Sequence, residues 1–88
     1  MRLLILYRPE SEHGRTVEEF VNDFRKTHDT SFLEVINIDS REGIATATLY
    51  DIVEYPAILV LQSDGSVQKI WQGAQLPLMD EIASYVSA

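Results

Sequence analysis

No cysteine occurs among the 88 residues of this chain. Disulfides and thiol–disulfide exchange are therefore excluded, because both need a thiol on the protein. Positive charge is also scarce: seven Lys and Arg stand against fourteen Asp and Glu, for a formal net charge of −7. Nucleic-acid binding depends on basic contacts to phosphate, so this balance argues against it. No apolar run approaches the roughly 18–20 residues of a membrane span. Met1–Leu6 is too short for a signal-peptide core, and Arg8 and Glu10 follow at once. A cytoplasmic protein with no membrane association is the expectation. The two histidines, His13 and His28, show no metal-ligand spacing, so neither a metal nor any other cofactor is expected.

What is present describes an α/β chain. Its length suits one domain over residues 1–88, with a composition of 45% hydrophobic and 24% charged residues. Leu3–Tyr7 is a continuous apolar run, the pattern of a strand buried on both faces. Val17, Phe20, Val21 and Phe24 recur at i, i+3, i+4 and i+7, which predicts an amphipathic helix ending near His28–Asp29. Thr16 with Glu19 fits a capping box for it, and Ser11 is a competing cap. Phe32–Ile38 reads as a second strand, parallel to the first because a helix separates them. Asp39 with Glu42 predicts the cap of a second helix, which runs to about Asp51. Ala57–Leu61 is another doubly buried strand, and Asp64-Gly65 signals a hairpin into Val67–Trp71. Pro77 opens a closing helix with Leu78, Ile82 and Val86 on one stripe. The order β-α-β-α-β-β-α predicts a three-layer sandwich, with a four-stranded mixed sheet and helices on both faces.

This order, with Tyr50-Asp51-Ile52-Val53-Glu54-Tyr55-Pro56 ahead of the third strand, resembles the thioredoxin superfamily. The Asp64-Gly65 hairpin, Gly73 after the last strand and the final helix extend the resemblance over nearly the whole chain. In that family the proline is usually cis, and the residue before it offers its backbone to an extended peptide or to glutathione. By resemblance these roles fall to Pro56 and Tyr55. Independently, a proline suits the first residue of a strand, where no ladder amide is required. The chain's minimal size resembles glutaredoxins more than full thioredoxins, which carry an extra N-terminal strand and helix.

Redox members of the family place Cys-x-x-Cys at the N-terminus of the first helix, where the macrodipole and free amides favour a thiolate. Ser11-Glu12-His13-Gly14 stands in its place. A serine hydroxyl is not ionised at neutral pH and forms no disulfide, so the electron chemistry is gone. Ser11 and His13 also lack a G-x-S-x-G elbow and an orienting third group, which argues against a hydrolase. The reading is a non-catalytic module that binds a protein or peptide, as a monomer or weak homodimer. Its candidate groove comprises Arg8, Ser11, Glu12, His13, Glu54, Tyr55, Pro56 and Gly73. Glu10, Glu12, Asp51 and Glu54 would favour a basic peptide there. Two alternatives remain open. One is a glutathione-binding or transferase-like enzyme using Ser11; against it, Gln72-Gly73-Ala74-Gln75 lacks the acidic residue and serine that such enzymes use to hold the glutathione amine. The other is a structural homo-oligomer subunit. Trp71 is expected to pack against the sheet or a helix.

Overall fold

The computed structural model describes residues 2–27, 32–73, 76–77 and 79–86. The expected helix end at His28–Asp29, and positions Ala74, Gln75 and Leu78, lie outside them. The elements are β1 (Arg2–Tyr7), α1 (Gly14–Thr27), β2 (Leu33–Asn37), α2 (Arg41–Leu49), β3 (Ala57–Leu61), β4 (Val67–Gln72) and α3 (Met79–Val86). One four-stranded sheet runs in the order β2-β1-β3-β4. β1 pairs parallel with β2 and antiparallel with β3, and β3 pairs antiparallel with β4. The expected mixed sheet is thus present.

The continuous apolar runs are central strands because both their faces are covered. Leu3, Ile5, Tyr7, Ile58 and Val60 face Val17, Val21 and Phe24 of α1 and Ile82 of α3. Leu4, Leu6, Leu59 and Leu61 face the opposite way, against Ala47 of α2 and Ile52. Alternation within each strand therefore feeds two cores, with α1 and α3 over one face and α2 over the other. Trp71 packs against the first core, as expected, edge-on to Tyr85 at 5.6 Å between ring centroids. Among the described residues, no helix is long and apolar enough to cross a membrane.

Three expected caps are not used. α1 starts at Gly14, so Thr16 lies inside its first turn, and the Val17 amide bonds the His13 carbonyl at 3.0 Å. Ser11 does not cap either, because its hydroxyl donates to the Arg8 carbonyl at 2.6 Å. The cap of α2 is Ser40, whose Oγ accepts from the Gly43 amide at 2.9 Å, rather than Asp39. Asp39 is drawn away by Arg8 on one side, while Asn37 Oδ1 holds its amide at 2.8 Å.

The hairpin after β3 uses a three-residue loop. The Gln62 amide bonds Ser66 O at 2.8 Å, and the Gly65 amide bonds Gln62 O at 2.9 Å. Gly65 sits at φ +88°, where a glycine is needed to complete the turn. Asp64 Oδ1 accepts from the Ser66 amide and hydroxyl, and these bonds hold its carboxyl below the usual range.

α2 ends in a Schellman motif: the Ile52 amide bonds Ala47 O at 2.9 Å, and the Asp51 amide bonds Thr48 O at 3.4 Å. Its left-handed residue is Asp51, at φ 55°, where glycine is the usual occupant. Asp51→Gly is accordingly expected to stabilise the chain by about 0.5–1 kcal/mol, through relief of that conformation. Urea denaturation checks this, and a midpoint below that of the native chain would refute it.

Candidate functional site

The loops at one end of the sheet divide five of the expected residues among three separate hollows, while Ser11, Glu54 and Gly73 line none of the three. Glu12, His13 and Pro56 line one cleft of about 280 Å³, together with Thr16, Val17 and Leu76. Arg8 lines a second hollow of about 220 Å³ with Pro9, Glu10, Asn37 and Asp39. Tyr55 lines a third of about 340 Å³, walled by α2 residues and by Asp51, Ile52 and Val53.

Arg8 does not turn toward Pro56. Its guanidinium makes a bidentate bridge to Asp39, at 3.0 and 3.1 Å, which joins the loops after β1 and β2. Those hydrogen bonds, then the Asp39 charge, raise the guanidinium pKa further above its ordinary value. Both partners are about half exposed, so the bridge orients the loops more than it stabilises them.

Ser11 lies in the turn ahead of α1, not at the helix N-terminus, which falls at Gly14. The serine proton is committed to the Arg8 carbonyl. His13 Nε2 accepts from the Arg8 amide at 3.1 Å. Burial, then the Arg8 charge, lowers the imidazole pKa below its ordinary 6.5. Further along β1, the Tyr7 hydroxyl donates to Glu18 at 3.0 Å. Burial first, and then Glu18, push that phenol up.

The proline loop is held from β4. Gln72 Oε1 accepts from the Val53 and Glu54 amides, at 3.1 and 3.2 Å, and the Gly73 amide bonds Pro56 O at 3.1 Å. The Glu54 carboxylate lies over Gly73, 3.2 Å from where a Cβ would stand. The Tyr55–Pro56 bond is cis. The Tyr55 hydroxyl reaches Ile52 O at 3.4 Å, but among the described residues its main-chain N–H and C=O have no hydrogen-bond partner.

Glu10, Glu12, Asp51 and Glu54 are all exposed, and none of them is in an ion pair among the described residues. Ile44 and Val53, which line the hollow with Tyr55, and Leu49 at the end of α2 are exposed apolar side chains, Val53 at 79%. Among the described residues, no group of three or more His, Asp or Glu side chains converges as a metal site would require.

Sequence reasoning missed Gln72, Asp39, Thr16 and Leu76. Gln72 and Asp39 act through contacts 18 or more residues away in sequence, which no local pattern encodes. Leu76 had no signal beyond being apolar.

No protein-family model matches the chain, and no curated protein does. Solved structures do match. Thioredoxin 1 from the thermophilic eubacterium Thermosipho africanus superposes with a TM-score of 0.70 at 13% identity, covering 99% of this chain and 91% of that one. A reduced thioredoxin pre-protein from Schistosoma mansoni gives 0.69 at 16% identity, covering 97% and 74%. The chain has the thioredoxin fold, and it has no cysteine with which to perform thioredoxin chemistry.

Proposed function

We propose, from a thioredoxin fold that carries no thiol, that this chain is a binding module for an extended protein or peptide segment lying across the Tyr55–Pro56 loop. One observation carries the reading. The loop is bonded on both sides of Tyr55, by Gln72 and by Gly73, yet among the described residues nothing bonds the Tyr55 main-chain N–H and C=O. Main-chain groups fixed in place and unpaired are what an added strand bonds, while neighbouring clefts select its side chains. The cleft at Glu12, His13 and Pro56 and the hollow beside Val53, which mixes Ile44, Ile52 and Val53 with Thr48 and Asp51, flank that position. Glu10, Glu12, Asp51 and Glu54, in no ion pair among the described residues, favour a basic segment with apolar residues. The module acts, in this reading, in the cytoplasm, without a cofactor, and on protein rather than on nucleic acid or membrane.

The glutathione alternative is less well supported, because the Ser11 proton that would stabilise a bound thiolate is already given to Arg8 O. The oligomer alternative draws on exposed Ile44, Leu49 and Val53, but copies each carrying −7 repel one another.

A random peptide library displayed on phage and panned against the chain tests the reading. Enrichment of basic sequences is expected, and an enriched synthetic peptide should shift the amide resonances of Ser11, His13, Tyr55 and Ala57. Reversing Glu12 and Glu54 to lysine should weaken that peptide roughly tenfold, with most of the loss removed at high salt. Enrichment no higher than on bare support, or shifts confined to the β2 edge, would overturn peptide binding at this site. A two-fold mass in light scattering without peptide binding would support the oligomer instead.

A further inference from the structure

The loop between β1 and α1 is tied to a single residue. The Arg8 carbonyl accepts from the Ser11 amide at 3.1 Å and from its hydroxyl at 2.6 Å, and the Arg8 amide donates to His13 Nε2 at 3.1 Å. A ring nitrogen that accepts a hydrogen bond carries no proton, so this bond exists only while the imidazole is neutral, with its proton on Nδ1. We propose that His13 is a proton-operated latch. Neutral, it keeps residues 9–13 folded against Arg8 as one wall of the Pro56 cleft; protonated, it releases the Arg8 amide and loosens that wall.

The groups around the ring decide the direction. Arg8, Glu10 and Glu12 are the charged residues on its own loop. From the loop after β2 comes Asp39, which is paired with Arg8, and from the proline loop Tyr55, which also interacts with Arg8. α1 contributes Thr16 and Val17 to the cleft, neither of them titratable. The stretch from Gly73 to Leu78 contains no ionisable residue type at all. Protonating Nε2 would turn a donor toward the Arg8 N–H, in a partly buried place already next to a guanidinium. Burial and the Arg8 charge both oppose that, which agrees with the lowered pKa. A group whose pKa is lower folded than unfolded stabilises the fold above its unfolded value. That contribution is lost as pH falls through the folded value. The latch is therefore closed at and above about pH 6.5 and opens below it.

This inference rests on the peptide-binding reading only for its consequence, a groove weakened by acid; the latch itself is a property of the free chain. It is tested without any ligand, by NMR titration from pH 8 to 5. The His13 ring should titrate with a midpoint below 6.5, and the Arg8 and Ser11 amides should move with the same midpoint. Solvent exchange of the Arg8 amide, corrected for its intrinsic pH dependence, should become roughly five- to tenfold faster across that step. His13→Gln, whose amide oxygen accepts but does not titrate in this range, should abolish the step at Arg8. A His13 midpoint at or above 6.5, an Arg8 amide that does not follow it, or a step that survives in His13→Gln would each overturn the latch. If the panned peptide binds, its affinity should fall below the His13 midpoint in the native chain and not in His13→Gln. Failure of panning would leave the titration result standing.

Discussion

Gly14→Ala is expected to destabilise the chain by about 2–3 kcal/mol, lowering the melting temperature by roughly 10–20 °C. A Cβ at this position would run into the carbonyl carbon and oxygen of Pro9, with the Arg8 carbonyl oxygen 3.1 Å away. The obstacle is backbone, so no rotamer change relieves it. Either α1 shifts away from the sheet or the loop over residues 9–13 gives way. The loop then loses the bonds that Ser11 and His13 make to Arg8, so the cleft beside Pro56 should open as well. Thermal unfolding followed by circular dichroism measures the loss, and a melting temperature within about 2 °C of the native value would contradict it. The same backbone bears on any attempt to rebuild a redox centre. In a Ser11→Cys/Gly14→Cys variant the second thiol meets Pro9 before it meets the first, and position 11 stands ahead of the helix rather than on its free amides. Such a variant is expected to fold poorly rather than gain thiol chemistry.

Phe24→Ala should have the largest effect of any core truncation on α1, a loss of about 3–5 kcal/mol. Phe24 is 1% exposed and is the largest fully buried side chain among the described residues. It stacks on Phe20 at 6.4 Å and belongs to the core that joins α1 to Leu3, Ile5, Val60 and Ile82. A chain of this size has a total stability of roughly 4–13 kcal/mol, so the variant should keep at most about three-quarters of it, and at the lower end none. Urea unfolding should show a lower midpoint with an unchanged slope, the mark of a native state weakened without a change in the surface exposed. A loss below about 1.5 kcal/mol would mean that α1 is not anchored as described. Because α1 carries Thr16 and Val17 into the Pro56 cleft, the same truncation should weaken peptide binding in proportion to the unfolded fraction.

How much of this could be read in advance depended on the range of the interaction involved. β3 was legible to the residue, Ala57–Leu61, because a doubly buried strand leaves an uninterrupted apolar run. β2 runs Leu33–Asn37 instead of Phe32–Ile38, but the two flanking residues still bond β1, through the Leu3 amide to Phe32 O and the Ile38 amide to Tyr7 O, both at 3.0 Å, before the chain turns at Asp39 and Ser40. The body of α1 was legible in its periodicity, while its start was not. Ser11, Gly14 and Thr16 lie within six residues, and the outcome was decided by Arg8, whose carbonyl took the Ser11 hydroxyl. Likewise Asp39 and Ser40 are adjacent and equally able to cap α2, until Arg8 claims the aspartate from 31 residues away in sequence.

By itself the sequence determined the element order, the two faces of the core and the chemistry that is impossible here. Those follow from side-chain period and from residue types, which exist before the chain folds. Only the tertiary structure decided that Arg8 turns from the groove to Asp39, that Gln72 braces the proline loop, and that His13 closes on the Arg8 amide. Each of those is a choice among hydrogen-bond partners of similar strength, settled by which groups the packed sheet brings within about 3 Å.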